Sequence, residues 1–184
     1  MAFEVQRSEA VFQGRVFTVR RDWVRLPNGR QTTLDIVEHA GAVTVVPLDG
    51  AGHLWFVRQY RHAAGQPLLE FPAGTLEPGE SPEACAAREL REEIGRAARQ
   101  WTPLGAFFLA PGYSTEWMHL FLAADLYPAP LAQDEDEVLE PLRLPVAEAY
   151  RRAWAGEIQD GKTLAALFLA WPHLRSLFPS PLAP

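Results

Sequence analysis

The sequence is poor in residues that oxidise, deamidate or form crosslinks. Its 184 residues include one cysteine, Cys85, one asparagine, Asn28, and two methionines, and Lys162 is its only lysine. A single cysteine excludes an internal disulfide framework and is typical of a reducing compartment. Sixteen prolines accompany this scarcity. Together these features are compatible with a heat-stable protein, although a GC-rich coding sequence would enrich the same residue types.

The chain also lacks long apolar runs and an excess of positive charge. No run approaches the roughly 18 apolar residues that a membrane-spanning helix needs, and the N-terminus lacks the basic and then apolar pattern of a secretion signal. The net charge of −6 disfavours nucleic-acid binding. With 48% hydrophobic residues the composition is that of a folded chain. We therefore expect a cytoplasmic globular protein with neither a membrane nor a nucleic acid as partner.

Alternating apolar and polar residues indicate strands over much of the chain. Residues 15–26 and 31–39 alternate on either side of the turn Pro27-Asn28-Gly29, which is typical of a long hairpin. Other patterns predict strands at 42–47, 53–60, 101–109, 117–126 and 138–144, and helices at 82–94, 146–155 and 163–171. We expect Ser81 and Gly95 to cap the first helix and Pro172 to end the last one. The sequence predicts a mixed α/β architecture.

The helix predicted at 82–94 concentrates acidic residues. Glu89, Glu92 and Glu93 share one face, because residues three and four apart are neighbours on a helix. Such carboxylates repel one another, and anions near a helix C-terminus are disfavoured, so stability alone does not favour the cluster. Hard cations such as Mg²⁺ and Mn²⁺ prefer oxygen ligands, which the cluster supplies, while a solvated, salt-bridged surface is the alternative. Another face is apolar and suited to the core: Ala87, Leu90 and Ile94.

Eight residues match the Nudix box, the pattern G-x5-E-x7-R-E-U-x-E-E-x-G-U in which U is aliphatic. They are Gly74, Glu80, Arg88, Glu89, Leu90, Glu92, Glu93 and Gly95. Arg96 departs from the pattern, because an apolar residue usually closes the box, and we expect it to affect the packing after the helix. The segments RQYR at 58–61, LEFPAG at 69–74 and APGYSTE at 110–116 flank the box. With Pro111 after the box, the chain resembles the ADP-ribose pyrophosphatase branch of the Nudix hydrolases over about residues 10–172.

This resemblance implies a fold and an assembly. The fold is a Nudix-type α/β/α sandwich with a mixed β-sheet at residues 41–184, preceded by an N-terminal antiparallel β-region at residues 1–40. In this branch the N-terminal region is usually exchanged or shared between the subunits of a homodimer. The alternative for the 15–39 hairpin is a plain edge hairpin of a monomer.

The resemblance also implies roles for particular residues. The carbonyl of Ala73 and the carboxylates of Glu89 and Glu93 bind metal, joined by Glu92 directly or through water, and the site takes two or more Mg²⁺ or Mn²⁺ ions. Arg88 orients these carboxylates and Glu80 ties the preceding loop to the helix. The substrate is contacted by Arg61, which otherwise reads as a surface-strand arginine, and by the loop residues Ala110, Pro111 and Gly112.

The box leaves the catalytic base open. In this branch a glutamate on a later loop takes the proton, and the corresponding segment here is QDEDE at 133–137. Glu135 and Glu137 lie two residues apart, so in an extended chain they point the same way. We favour Glu137 as a metal ligand and Glu135 as the base, acting with Glu93, and Glu116 or Glu140 come next. A solvated acidic loop is the alternative.

The expected function is metal-dependent hydrolysis of ADP-ribose to AMP and ribose 5-phosphate. A pyrophosphate is strongly anionic, so cations must neutralise the charge that develops on it. The first alternative is another substrate of the same reaction class, such as FAD, a dinucleoside polyphosphate or a nucleotide sugar. The second is a non-catalytic nucleotide-sensing module, which is disfavoured because such modules usually lose box carboxylates. Cys85 lacks an activating neighbour and is expected to be a packed thiol.

Overall fold

The computed structural model describes residues 2–132 and 138–177, which form ten strands, three α-helices and two short 3₁₀ helices. The strands are β1 (Glu4–Gln13), β2 (Thr18–Arg25), β3 (Gln31–Glu38), β4 (Ala42–Pro47), β5 (His53–Arg61), β6 (Gln66–Glu70), β7 (Ala73–Thr75), β8 (Arg96–Phe108), β9 (Trp117–Pro128) and β10 (Leu139–Pro145). The helices are α1 (Pro82–Ile94), α2 (Val146–Trp154) and α3 (Gly161–Leu174). The predicted mixed α/β class is confirmed. No helix among the described residues is both long and apolar enough to cross a membrane.

The first of two compact units contains the chain up to Ala42 together with the segment Phe107–Met118. In it β1, β2 and β3 form an antiparallel sheet in that order. The predicted hairpin is confirmed as β2 and β3, with Gly29 at a φ of 83° in its turn. All ten residues of β1 are exposed, so no buried face imposes an apolar alternation that a sequence pattern would show.

The segment Phe107–Met118 is hydrogen-bonded to β3 within this unit. The backbone N–H of Val37 donates to the carbonyl of Tyr113 at 2.7 Å, and that of Thr115 donates to the carbonyl of Val37 at 2.9 Å. The predicted N-terminal region, residues 1–40, therefore lies in a unit that also takes in a much later part of the chain.

The second unit contains Val43–Ala106 and the chain from His119 onward. One sheet has the order β10-β5-β6, with β5 antiparallel to both neighbours, and a second has the order β7-β4-β9-β8. Helix α1 packs on a cluster that joins it to β4, β5 and β9. The buried members of that cluster are Val43, Val45, Val57, Cys85, Ala86, Leu90, Ile94, Phe121 and Ala123.

Local signals set both ends of α1, as predicted. The hydroxyl of Ser81 accepts a hydrogen bond from the N–H of Ala84 at 3.2 Å, and Gly95 ends the helix at a φ of 65°. The predicted core face is wrong in one position, because Ala86 is buried in the core whereas Ala87 is half-buried. Residues 86, 90 and 94 recur every four positions and share a face.

The prediction that Pro172 ends the last helix is wrong. Helix α3 includes Pro172 and continues to Leu174, which is fully buried. A proline removes one N–H donor and crowds the carbonyl four residues before it, and we attribute the continuation of the helix to the burial of Leu174, which offsets these costs. The N-cap of α3 is Asp160, whose carboxylate accepts a hydrogen bond from the N–H of Thr163 at 2.9 Å.

Candidate active site

One guanidinium on α1 connects three carboxylates. The Nε and Nη2 atoms of Arg88 donate to the two carboxylate oxygens of Glu80 at 2.9 and 3.0 Å. Its Nη1 atom donates to Glu89 at 2.7 Å and to Glu92 at 3.0 Å. Such forked, charge-assisted hydrogen bonds orient carboxylates that would otherwise repel one another. This is the arrangement through which a positioning role for Arg88 would act.

Glu80 joins the loop before α1 to the helix. Besides the two bonds from Arg88, its carboxylate accepts a hydrogen bond from the backbone N–H of Glu77 at 3.1 Å. The hydrogen bonds from Arg88 are the largest cause of a lowered pKa, and they outweigh burial, which acts in the opposite direction. The pKa of Glu80 falls from 4.5 to about 2. Glu80 is therefore ionised throughout the neutral range.

Two of the helix carboxylates are buried against the backbone of β7. Glu89 is 7% exposed and Glu93 is 4% exposed. A Cβ atom at Gly74 would lie 1.7 Å from Oε1 of Glu89, so only glycine leaves room for this carboxylate. The backbone N–H of Ala73 lies 3.5 Å from Oε1 of Glu93. The structure thus brings Ala73, Glu89 and Glu93 close to one another, with the contact at Ala73 made through its N–H.

The donor chemistry of this site fits a hard divalent cation. Its side chains offer oxygen atoms from Glu89 and Glu93, with the half-buried Glu92 beside them. Within residues 2–132 and 138–177, no three Asp, Glu, His or Cys side chains form a group arranged to hold a metal. A cation that takes one or two carboxylates and keeps several water ligands, as Mg²⁺ does, suits this donor set. A zinc site of His and Cys ligands does not.

A second charged group surrounds Glu70 at the end of β6. Its carboxylate is 1% exposed and accepts hydrogen bonds from Nε and Nη2 of Arg61 at 2.8 and 2.7 Å, and also from Nζ of Lys162. Burial raises the pKa of Glu70, but the bonds and charges of Arg61 and Lys162 outweigh it and the pKa is lowered. Glu70 is therefore a buried carboxylate anion with two cationic partners.

Arg61 is influenced by the charge of Glu93 on α1. Hydrogen bonding to Glu70 is the main cause of its raised pKa, and the negative charge of Glu93 adds to the effect. The Arg61 side chain is 41% exposed. Its bonds to Glu70 use Nε and Nη2, and the bonds described for this part of the chain leave the Nη1 donors available to a phosphate.

The sequence interpretation missed Glu70 and Lys162. The Nζ atom of Lys162 also lies 3.0 Å from the carboxylate of Asp160, and Asp160 accepts a hydrogen bond from the Thr163 hydroxyl at 2.6 Å. The same hydroxyl accepts a bond from the N–H of Phe71 at 2.9 Å. The first turn of α3 is thereby tied to the segment that leads into β7. Two signals were available: Lys162 is the only lysine in the chain, and Glu70 lies in the LEFPAG segment that resembles the family.

The other predicted residues lie in the first unit, on β10 or outside the described residues. Ala110, Pro111 and Gly112 form a turn of the first unit, in which the N–H of Ser114 donates to the carbonyl of Ala110 at 2.9 Å. Glu135 and Glu137 lie outside the described residues. Glu116 and Glu140 are the next candidates for the catalytic base. Glu116 is half-buried in the first unit, and Glu140 is exposed on β10 with its carboxylate 3.7 Å from Arg58.

Two further sequence expectations concern packing beside the helix. The guanidinium of Arg96, where the box usually has an apolar residue, stacks over Trp55 at 4.9 Å from the ring centroid. Cys85 is fully buried, and burial raises the pKa of its thiol. A buried thiol with a raised pKa is a weak nucleophile. Arg96 and Cys85 therefore contribute to packing.

The chain is similar to known protein families, to two ADP-ribose pyrophosphatases and to a solved structure. The NUDIX domain family matches residues 38–167, and a family described as the nucleoside diphosphate sugar hydrolase N-terminal domain matches residues 3–33. The chain is 42% identical over 168 residues to an ADP-ribose pyrophosphatase of Mycobacterium tuberculosis, covering 90% of this chain and 81% of that protein. It is 37% identical to an ADP-ribose pyrophosphatase of Bacillus subtilis, covering 86% and 87%. A crystal structure of an ADP compounds hydrolase aligns with a TM-score of 0.85 at 31% identity, covering 96% of each chain.

Proposed function

Because this chain belongs to the NUDIX family, we propose that it is a metal-dependent hydrolase that cleaves the pyrophosphate of ADP-ribose. Water is added across one P–O–P bond, and the products are AMP and ribose 5-phosphate. The observation that carries the proposal is the pair of buried carboxylates on α1, with Glu89 against the backbone at Gly74 and Glu93 near the N–H of Ala73. The similarity to two ADP-ribose pyrophosphatases supports the choice of substrate.

The carboxylates of α1 and the carbonyl of Ala73 would hold the metal. We propose Mg²⁺ or Mn²⁺, with two or more ions per site and Glu92 as a further ligand. When bound, such ions neutralise charge on the diphosphate and lower the pKa of a coordinated water. Arg88 keeps two of the carboxylates in place through its hydrogen bonds to Glu89 and Glu92.

Arg61 would bind a phosphate oxygen of the substrate with its Nη1 donors while Glu70 holds the rest of the guanidinium. A planar guanidinium suits this task because it can bind a carboxylate on one edge and a phosphate on the other. In this proposal the turn at Ala110, Pro111 and Gly112 contacts the substrate. Glu135 takes the proton from the attacking water, and Glu137 joins the metal ligands.

We propose further that the protein is a homodimer in which the N-terminal region, residues 1–40, is shared between subunits. The family match at residues 3–33 is separate from the NUDIX match, which fits a distinct role for this region. The 41–184 segment would then carry the catalytic box.

A substrate panel tests the proposal. Purified protein is incubated with ADP-ribose, FAD, a dinucleoside polyphosphate and a nucleotide sugar, each with Mg²⁺, with Mn²⁺ or with a chelator, and the products are identified by mass. We expect the highest kcat/KM for ADP-ribose, with AMP and ribose 5-phosphate as products and no turnover in chelator. Preference for another compound would overturn the substrate, and inactivity toward all of them would overturn the catalytic function.

A further inference from the structure

Lys162 is the single exception among the Lys and Arg residues of this chain, which are otherwise all arginines. Of its 17 basic residues 16 are arginines, and the single lysine has a side chain only 11% exposed. Its ammonium contacts the carboxylates of Glu70 and Asp160 at once. A compact ammonium fits between two carboxylates, whereas a planar guanidinium needs more room. The residue type therefore matches the space between these two anions.

Lys162 and Arg61 share one oxygen of Glu70. Oε2 of Glu70 accepts bonds from Nη2 of Arg61 and from Nζ of Lys162, while Oε1 accepts only from Nε of Arg61 among the described bonds. The carboxylate plane, and with it the guanidinium plane, consequently depends on where Lys162 holds Oε2. A bidentate pair transmits orientation because both of its bonds are directional.

Lys162 is itself anchored at a helix end. Asp160, which contacts its Nζ atom at 3.0 Å, is fixed by two bonds from Thr163, one from the N–H and one from the hydroxyl. The chain of contacts therefore runs from the first turn of α3 through Glu70 on β6 to Arg61 at the end of β5. Each joint is a direct contact between charged groups.

We propose that Lys162 is a positioning residue that acts through Glu70 to hold the Arg61 guanidinium in the orientation that binds the substrate diphosphate. This rests on the proposed function, in which Arg61 contacts a phosphate. Lys162 does not itself touch the substrate. Its removal should leave Arg61 paired with Glu70 but let that pair turn, which weakens a contact whose value depends on exact placement.

A double-mutant cycle with the metal-loaded enzyme tests this. Lys162→Met keeps the length of the side chain and removes its charge, and we expect kcat/KM for ADP-ribose to fall roughly 10–100-fold. In an Arg61→Ala background the same substitution should change kcat/KM by less than about twofold, because its target is gone. A merely structural role would instead give the same loss in both backgrounds, and that result would overturn the proposal.

A matched control and a milder variant accompany the cycle. Arg151→Met also removes one positive charge, but from an exposed position on α2 where Arg151 pairs with Glu148, and it should leave kcat/KM unchanged. If Lys162→Met does not fold, Asp160→Ser takes its place, because serine keeps the helix cap and removes only the carboxylate that contacts Lys162. The fall in kcat/KM caused by Asp160→Ser should be smaller than that caused by Lys162→Met, and it should likewise disappear in the Arg61→Ala background.

A second readout does not depend on turnover. The Nε–H of Arg61, which donates to Glu70 at 2.8 Å, is assigned in a ¹⁵N NMR spectrum as the signal missing in Arg61→Lys. Its exchange with solvent should become several-fold faster in Lys162→Met and stay unchanged in Arg151→Met. Unchanged exchange in Lys162→Met overturns the positioning role even if ADP-ribose proves to be the wrong substrate. Failure of the proposed function is seen separately, in the wild-type substrate panel.

Discussion

At the scale of single residues, the second unit keeps three carboxylates away from water. Glu70, Glu89 and Glu93 are 1%, 7% and 4% exposed. Removing an ion from water costs several kcal/mol unless charged partners and hydrogen bonds offset it. Glu70 has such partners in Arg61 and Lys162, and Glu89 has one in Arg88. Clustered buried charges of this kind are typical of functional sites.

The first prediction concerns the helix carboxylates. Glu89→Gln or Glu93→Gln should lower kcat by roughly 10²-fold or more and weaken Mn²⁺ binding, because an amide is a poorer ligand than a carboxylate. The fold should persist, since each change relieves repulsion between like charges. Turnover, Mn²⁺ titration by electron paramagnetic resonance and thermal unfolding measure the three effects.

Glu83→Gln is the matched control, because Glu83 is exposed in the first turn of the same helix. It should leave turnover and Mn²⁺ affinity unchanged. A near wild-type rate for either test variant at saturating Mg²⁺ would show that the metal is held elsewhere.

The second prediction concerns Gly74. In Gly74→Ala the new methyl group would lie 1.7 Å from the present position of Oε1 of Glu89, so the carboxylate must move. We expect kcat/KM to fall on the order of 10²-fold, as for other displacements of about 1 Å at a reacting centre. Steady-state kinetics checks this. Gly50→Ala, which adds a methyl group where nothing lies within 4 Å, should be neutral; equal losses in both variants would rule out the Glu89 contact as the cause.

At the scale of elements, α1 and the loop before it act as one piece. The loop is joined to the helix by Glu80, which accepts bonds from Arg88 and from the backbone of Glu77. The cap at Ser81 and the αL residue Gly95 fix the two ends of the helix. The position of the proposed metal-binding carboxylates along α1 is therefore set partly by a loop that carries none of them.

The third prediction is a pH dependence of stability. The pKa of Glu80 is lowered from 4.5 to about 2 in the folded state. The stabilisation from this group is therefore complete above the unfolded-state pKa and is lost as the pH falls from 4.5 toward 2. Glu80→Gln should lower the free energy of unfolding by roughly 1.5–3 kcal/mol near pH 7, where the wild type has the charged bonds.

Urea unfolding of both proteins at several pH values measures this difference. The difference in free energy of unfolding between wild type and Glu80→Gln should become smaller as the pH is lowered to about 3.5. Glu77→Gln, in which the backbone N–H donor to Glu80 remains, is the matched control and should have a free energy of unfolding close to that of the wild type at pH 7. If the free energy of unfolding of the wild type exceeded that of Glu80→Gln by the same amount down to pH 3.5, the ionic role of Glu80 would be contradicted.

At the scale of the whole molecule, the first unit presents apolar side chains to solvent. Its exposed large apolar residues include Val5, Val11, Phe12, Val16 and Phe17. Large exposed apolar surfaces in soluble proteins commonly mark interaction sites. This agrees with the proposed homodimer in which residues 1–40 are shared.

The fourth prediction follows from that surface. We expect light scattering to give twice the chain mass of 20.5 kDa. Phe12→Glu on β1, where Phe12 is 55% exposed, should shift the protein toward the monomer and reduce kcat/KM. Phe168→Glu on α3 alters a phenylalanine that is 77% exposed and should leave the mass unchanged. A fully active wild-type monomer would exclude a shared active site.

Much of this protein follows from local sequence. The strands β2 to β5 and the helix α1 were predictable because alternation, turn residues and caps act within a few residues of one another. The box residues from Gly74 to Gly95 likewise lie within one loop and helix, so their resemblance to the Nudix box could be seen in the sequence, and that resemblance implies a metal-dependent pyrophosphohydrolase. Local sequence did not reveal the exposed strand β1 or the continuation of α3 through Pro172, because both depend on which residues the fold buries.

Only the tertiary structure decided which charges are buried and how they are paired. Glu70 and Lys162 are 92 residues apart in sequence, and no periodic pattern connects them. Helical spacing places Glu89 and Glu93 on one face, but their burial depends on β7 and on the absence of a side chain at Gly74. Sequence patterns record local geometry, whereas the energy of a buried ion depends on every group packed around it, and those groups come together only when the chain folds.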